Sequence, residues 1–439
     1  MPEIGQFARK MQETARKMQA DFGGNRYFWY FCPANPSFMR HLFVYVFLLL
    51  SVPLPAQVAP VSLIDPAENY ISQSQRGLLH FYERLLALES SRIRTVNIVH
   101  IGDSHVQADW LTGQLRQDLQ QRFGNAGRGL VFPFRLAGTN SPGDIVCSSA
   151  SSWEATRLIS MPTAVGISGF RLRTYNPNFQ LQIGLRGDVY ASDVSFDQVK
   201  VLFDTDPRTP ALTVNPSLPG YPPGRYVSGR TWGQVWSFDT PVSAITLTGV
   251  PHDESTLPTS LYGVSFENTR SSGILYHAIG VNGAQFNHYT AASNLMVQIR
   301  ALQPDLIILS LGANDTHVNT FNTDAFFREI DRLVAMIEES LPFTDILLTT
   351  PGDAWRVRRY RNPHVATGAG IINSYAQNRD IACWDFYRIM GGDGSIQRWY
   401  LAGMAQPDRL HLTRQGYEYE AKMLYQALVS SYEQYKNGR

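Results

Sequence analysis

Three short segments, far apart in the chain, combine the residue types that acyl transfer requires. They read GDS at 102–104, GAND at 312–315 and DRLH at 408–411. A serine hydroxyl becomes a nucleophile when a histidine takes its proton, and a nearby carboxylate holds that histidine in the useful tautomer. A side-chain amide can donate to the oxyanion that forms when the serine attacks. Together, the segments predict a serine hydrolase.

Each segment alone has a simpler interpretation. Asp103 and Ser104 could cap a helix, GAND is typical of a turn, and a D-x-x-H pair is more often a surface ion pair. The chemical interpretation therefore depends on the three occurring together. It assigns Ser104 as nucleophile, His411 as base, Asp408 as the group that orients the base, and Asn314 as an oxyanion donor.

Buried strands are predicted directly before the first two segments. The run TVNIVHI precedes Gly102, and DLIILSL at 305–311 precedes Gly312. Because ligands bind beyond the carboxyl ends of strands in open α/β sheets, Ser104 and Asn314 should lie at one crevice. Further strands are predicted at 345–350 and 381–386, and helices at 68–90, 108–123 (Leu111, Leu115, Leu119, Phe123), 324–340 (Phe327, Ile330, Val334, Ile337) and from the N-cap Thr413 onward.

The middle of the chain has a different pattern. Between 140 and 272, short alternating runs are separated by Pro- and Gly-rich turns, which is typical of an antiparallel β-sandwich with a core of its own. The predicted fold is α/β, a doubly wound, flavodoxin-like parallel sheet, with this sandwich inserted. The predicted domains are an N-terminal extension with signal peptide (1–58), a hydrolase domain divided between 65–139 and 273–435, and the insertion (140–272) that separates its two stretches.

Composition excludes some classes of function. The 439 residues carry a formal net charge of +1, with no basic block for phosphate-driven nucleic-acid binding. The three cysteines, Cys32, Cys147 and Cys383, form no metal-ligand spacing, and two buried free thiols are favoured over a disulfide in the mature chain. We expect no metal, no cofactor and no nucleic-acid partner.

The N-terminal region predicts export. An apolar run at 42–52 follows Arg40 and precedes small residues, in the order of a signal peptide. The run is shorter than the roughly 20 residues that span a bilayer, so no stable membrane span is expected after cleavage. We expect the mature chain to begin near 57–59 and translation to start at Met39; an uncleaved signal anchor is the alternative.

The three segments resemble the conserved blocks of the SGNH/GDSL hydrolases. GDS matches block I, GAND block III and DRLH block V, and the resemblance covers about 90–135 and 275–435. It implies that the backbone N–H groups of Ser104 and of a block II glycine join Asn314 in the oxyanion hole. That glycine is best matched by Gly283, with Gly280 as the alternative. His105 departs from the family, which often has leucine there.

A narrower resemblance concerns the substrate. The stretches HIGDSHVQADWLT and FGNAGRGLVFP, followed by an inserted β domain, are similar to exported peptidoglycan O-acetylesterases. This implies a periplasmic or extracellular enzyme that removes O-acetyl groups from a cell-wall glycan.

Other functions stay open at this point. A xylan acetylesterase, lipase or thioesterase would use the same triad, and a non-catalytic envelope glycan-binding protein would keep the β domain. Aromatic residues of the insertion could stack on sugars, but in a sandwich they are more often core; they are Trp153, Tyr221, Tyr226, Trp232 and Trp236.

Overall fold

The computed structural model describes residues 63–190 and 194–438, so the predicted extension and signal peptide at 1–58 lie outside the described residues. The strands, in chain order, are β1 Ile71–Ser72, β2 Thr95–Gly102, β3 Gly129–Val131, β4 Ile145–Ser148, β5 Glu154–Arg157, β6 Phe170–Thr174, β7 Gln180–Leu185, β8 Phe196–Phe203, β9 Ala211–Pro216, β10 Arg225–Arg230, β11 Gly233–Val242, β12 Ala244–Val250, β13 Thr259–Glu267, β14 Gly273–Gly280, β15 Leu306–Ser310, β16 Asp345–Thr349, β17 Trp355–Arg356, β18 Tyr360–Arg361 and β19 Ala382–Trp384. The helices are α1 Ser74–Gly77, α2 Leu79–Glu89, α3 Ser104–Gln107, α4 Trp110–Phe123, α5 Phe286–Thr290, α6 Leu295–Leu302, α7 Ala313–Thr316, α8 Thr323–Ser340, α9 Val365–Asn378, α10 Phe386–Ile389, α11 Ser395–Leu401 and α12 Arg414–Asn437, with 3₁₀ turns at Pro66–Glu68 and Pro162–Ala164.

The central sheet has the strand order β1-β19-β16-β15-β2-β14. Its strands run parallel except β1, which pairs antiparallel with β19. Residues of β2 face two different cores: Val99 and Ile101 pack into one hydrophobic cluster, whereas Val96 and Ile98 pack into the other. A sheet covered on both faces explains the continuous apolar runs and confirms the predicted doubly wound α/β fold.

The inserted β domain is confirmed as two antiparallel sheets. One has the order β10-β11-β8-β13-β6-β5, with β3 also pairing with β13, and the other has the order β4-β7-β12-β9. Because β3 belongs to the first sheet, the sandwich begins before the predicted boundary at residue 140.

The sandwich does not have the separate core that its strand pattern predicted. Val201 and Ile245, from its two sheets, belong to the same buried cluster as Val99 and Ile101 of the central sheet. The interior of the insertion is thus continuous with one face of the hydrolase.

Two predicted helices differ in detail. The segment predicted as a helix at 68–90 contains the edge strand β1 and a break at Gln73, whose φ is +55°, before α1 and α2. In α8, Phe326 rather than Phe327 faces the core; Phe327 is 44% exposed. The last helix begins after Thr413, whose side chain caps it as predicted.

The two described cysteines are free thiols in different sheets. Cys147 lies half-buried in β4 and Cys383 is buried in β19. Within 63–190 and 194–438, no helix is long and apolar enough to cross a bilayer.

A buried cluster of charges lies where the insertion leaves the hydrolase. Asp109 accepts hydrogen bonds from both terminal nitrogens of Arg116 (3.1 and 3.0 Å) and one from Arg128 (2.7 Å). Arg128 also pairs with Asp144, just before β4. Burial alone would raise the pKa of Asp109, but Arg116 and Arg128 outweigh it and hold the pKa below its usual value. The cluster therefore joins α4 to the first strands of the sandwich by paired, desolvated charges.

Removing one member of this cluster should be costly. Asp109→Ala leaves two buried guanidinium groups with too few partners, so we expect a loss of about 3–5 kcal/mol in the free energy of unfolding. The control is Asp393→Ala, which breaks an ion pair with Arg361 whose side chains are 61% and 60% exposed and should cost no more than about 1 kcal/mol. Urea unfolding measures both; equal losses would contradict a structural role for the cluster.

Candidate active site

Three neighbouring parallel strands end level with one another. Gly102 of β2 pairs in register with Gly280 of β14 and with Ser310 of β15. The loops that follow therefore start at the same edge of the sheet. This register brings Ser104 and Asn314 to one cleft, as their positions in the sequence predict.

Ser104 is the first residue of α3. Asp103 is its N-cap, with a carboxylate oxygen that accepts a hydrogen bond from the His105 N–H at 2.9 Å. A side chain at Gly102 would meet Val106 at 2.4 Å, so glycine is required for this tight turn. The two interpretations of this segment are compatible, since Asp103 caps the helix while Ser104 lines the cleft.

The predicted triad residues form a chain of hydrogen bonds. Ser104 Oγ lies 2.9 Å from His411 Nε2, and His411 Nδ1 lies 2.8 Å from Asp408 Oδ2. Burial alone would raise the pKa of Asp408, but hydrogen bonds from the His411 side chain and from the Leu410 and His411 N–H groups hold it well below its usual value. Since an ionised carboxylate only accepts, His411 Nδ1 must donate, which leaves Nε2 free to take the serine proton.

Arg409 anchors the loop that carries Asp408 and His411. Its φ is +51°, and its guanidinium carbon lies 4.4 Å from the ring centroids of both Trp355 and Tyr400. Its carbonyl accepts a hydrogen bond from the Trp355 N–H at 2.7 Å. Sequence reasoning missed this residue, because a spacer inside D-x-x-H carries no signal of a cation–π contact.

Asn314 is already engaged. Its amide nitrogen donates to Asp103 Oδ2 and to the Ala284 carbonyl, both at 3.0 Å. Burial raises the pKa of Asp103 to about 6, although the His105 N–H, His411 and Asn314 all favour its ionised form. The predicted oxyanion role of Asn314 therefore requires one of these two bonds to weaken as the oxyanion forms.

The two candidate block II glycines have different surroundings. Gly283, with a φ of +83°, lines the cleft with Ser104, and a side chain there would have no contact closer than 3.8 Å. Gly280 lies at the end of β14, where a Cβ would meet the Gln107 nitrogen at 2.2 Å. Of the two, only Gly283 lines the cleft.

Gln107 positions the loop before Gly283. Its side-chain oxygen accepts from the Asn282 N–H at 2.8 Å, while its amide nitrogen donates to Asn140 Oδ1 at 2.7 Å. Asn282 also donates to Asn140 Oδ1 at 2.8 Å. Sequence reasoning missed this network, since only the fold brings its three members together.

His105, the departure from the family, lies behind the base. Its ring stacks on that of His411 with centroids 5.2 Å apart, and its Nδ1 is 2.8 Å from the Tyr417 hydroxyl. Burial and the neighbouring His411 lower the pKa of His105 to about 3. A ring that stays neutral packs against the base without repelling the imidazolium that forms during the reaction.

The aromatic residues of the insertion divide into two sets. Trp236 is buried, and Trp153 and Trp232 pack against the core, whereas Tyr221 and Tyr226 are exposed. The cleft instead contains Trp110 of α4, which sequence reasoning did not single out. The cleft has a volume of about 670 Å³.

A comparison with protein families identifies the second stretch of the hydrolase domain. The profile of the GDSL-like lipase/acylhydrolase family matches residues 259–419, a segment that holds Gly283, Asn314, Asp408 and His411 but not Ser104. No curated protein sequence matches the chain significantly.

Solved structures match different shares of the chain. A structure titled "Peptidoglycan O-acetylesterase in action, 5 min" is 23% identical and matches with a TM-score of 0.67, covering 81% of this chain and 96% of that one. A lipase/acylhydrolase from Enterococcus faecalis is 20% identical, with a TM-score of 0.30 over 36% of this chain and 77% of its own. An acetylxylan esterase from Geobacillus stearothermophilus is 17% identical, with a TM-score of 0.28 over 36% and 73%.

Asn314→Ala tests the oxyanion role. Since the bond to the oxyanion forms only in the transition state, we expect kcat to fall by about 10²–10³ with little change in KM. Asn287→Ala is the control, because Asn287 is an exposed asparagine of α5 that does not line the cleft; its kcat should stay unchanged. A raised KM with unchanged kcat would show that Asn314 binds the ground-state substrate instead.

Proposed function

Because this chain is a carboxylic ester hydrolase of the GDSL-like lipase/acylhydrolase family, we propose that it removes O-acetyl groups from a cell-wall polysaccharide, with peptidoglycan as the substrate. The observation that carries the chemistry is the hydrogen-bonded chain Ser104–His411–Asp408, with heavy-atom distances of 2.9 and 2.8 Å. Nucleophile and base are already within reach of proton transfer.

The proposed reaction has two acyl-transfer steps. His411 Nε2 takes the Ser104 proton as Oγ attacks the acetyl carbonyl, and Asp408 stabilises the imidazolium that results. The Ser104 and Gly283 N–H groups and the Asn314 amide hold the oxyanion. His411 then protonates the leaving sugar hydroxyl. It next activates water, which releases acetate and restores Ser104.

The lining of the cleft favours a sugar over a long acyl chain. Amide side chains line it near the nucleophile, from Asn140, Asn282, Asn314 and Gln406. An alkyl chain packed there would exclude water from polar groups without replacing its hydrogen bonds, which is costly. Hydroxyl groups of a sugar can donate to and accept from the same amides.

The arrangement of the whole chain supports a cell-wall glycan. The structural neighbour titled as a peptidoglycan O-acetylesterase covers 81% of this chain with a TM-score of 0.67. In this chain, residues near the start of the sandwich reach the cleft: Asn140 lines it, and Ile159 approaches Gly283. The insertion thus borders the place where a polymer must enter.

Acetate release from competing substrates tests the proposal. We expect the enzyme to release acetate from O-acetylated peptidoglycan faster than from acetylated xylan, and not to cleave a long-chain ester. Ser104→Ala should lower kcat by about 10⁶ on every ester substrate, while leaving the melting temperature unchanged. Faster acetate release from acetylated xylan would identify xylan, and not peptidoglycan, as the substrate. A fluorophosphonate label on another serine would show that Ser104 is not the nucleophile.

We also propose that the protein is exported to the periplasm or the cell exterior. The support is the order of basic, apolar and small residues at 40–57. N-terminal sequencing of protein from native cells should find a start near residues 57–59. Finding Met1 on cytosolic protein would refute export.

A further inference from the structure

A strained hairpin turn carries an arginine to the catalytic cleft. The turn joins β17 to β18, and two of its residues, Val357 and Arg358, have φ values of +50° and +60°. A β-branched residue in the left-handed region is a true outlier, and such strain persists only where surrounding contacts enforce it.

One backbone hydrogen bond joins this hairpin to a neighbouring loop, and another closes the base of the hairpin. The Trp355 N–H donates to the Arg409 carbonyl at 2.7 Å, and the Asn362 N–H donates to the Ala354 carbonyl at 2.8 Å. The hairpin is therefore bonded to the same loop that carries Asp408 and His411. A side chain presented from this hairpin has a defined position relative to the base.

The charge of Arg358 has no partner among the residues that the structure describes. Its side chain makes no hydrogen bond, ion pair or ring contact there, although it lines the cleft with Ser104. Two other arginines of the hairpin are paired: Arg356 donates to Asn319, and Arg361 pairs with Asp393 at 2.8 Å.

The other charged groups of the cleft do not neutralise Arg358. Among the lining residues, the carboxylate is that of Asp408, and its oxygens accept from His411 and the Leu410 N–H. The cleft therefore offers one free guanidinium to whatever binds beside the nucleophile. A guanidinium presents a rigid fork of donors that matches a carboxylate in a bidentate arrangement.

We propose that Arg358 is a specificity-determining residue that binds a carboxylate of the substrate, carried on the glycan close to the scissile acetyl ester. The proposal rests on the proposed function and narrows it to an anionic glycan. In peptidoglycan, muramic acid offers its lactyl carboxylate where the stem peptide has been removed, whereas an unsubstituted xylan backbone has no such group.

Competitive inhibition isolates the carboxylate. The probes are N-acetylmuramic acid and its methyl ester, each tested against hydrolysis of 4-nitrophenyl acetate. For the unmodified enzyme, the inhibition constant of the acid should be about tenfold to a hundredfold lower than that of the methyl ester, as expected for a hydrogen-bonded charge. The ratio of the two inhibition constants is compared within each variant, so a change in that variant's basal activity does not affect it.

The variants then assign the effect to one side chain. Arg358→Gln should bring the ratio near one, and Arg358→Lys should retain some of it. Arg359→Gln is the matched control, because Arg359 is an exposed arginine on the same turn that does not line the cleft; it should keep the full ratio. Raising the salt concentration should shrink the ratio in the unmodified enzyme.

Two results would overturn the proposal: a ratio near one in the unmodified enzyme, or a full ratio retained in Arg358→Gln. Both are distinct from failure of the proposed function. That function fails if no acetate is released from O-acetylated peptidoglycan, whatever the inhibition ratio is.

Discussion

The parallel register of three strands is the constraint on which the nucleophile side of the site depends. Gly102 is paired with Gly280 on one side and with Ser310 on the other. Because parallel strands leave the sheet at the same edge, each following loop begins at the same height. A slip of one residue would exchange the two faces of a strand, so that its side chains would pack against the wrong core, and would separate Ser104 from Asn314. The hydrophobic cores on both faces of the sheet therefore also maintain the active-site geometry.

The base is positioned in another way. His411 comes from the loop before α12, 307 positions after Ser104, and no strand of the sheet leads directly into that loop. The position of this loop is set by Arg409. Its guanidinium lies over the rings of Trp355 and Tyr400, and its carbonyl accepts a hydrogen bond from the Trp355 N–H. Trp355 belongs to the hairpin of Arg358, so the base and the proposed anion-binding residue are held by one set of contacts. Changes at Arg409 should consequently disturb catalysis and specificity together.

Local patterns account for what could be predicted from the sequence. The runs before Ser104 and Asn314 are continuous and apolar because both faces of their strands are buried, and Thr413 caps its helix through a nearby backbone group. Residues whose role depends on distant partners were missed: Arg409, Gln107 and Arg358 each act through contacts that only the folded chain creates. For the same reason, periodicity could identify the strands of the insertion but not the core that they share with the hydrolase, since burial patterns do not reveal what covers a face.

That shared core decides how the insertion can be studied. Val201 and Ile245 pack in one cluster with Val99 and Ile101, and the buried Asp109–Arg128–Asp144 cluster crosses the junction. Replacing the sandwich with a linker would expose one face of the central sheet and leave buried charges unpaired, so activity would be lost for structural reasons on every substrate. Substitutions at the border of the cleft avoid this problem, because they change recognition while both cores stay intact. The proposed glycan specificity is therefore better tested through single side chains such as Arg358 than through removal of the domain.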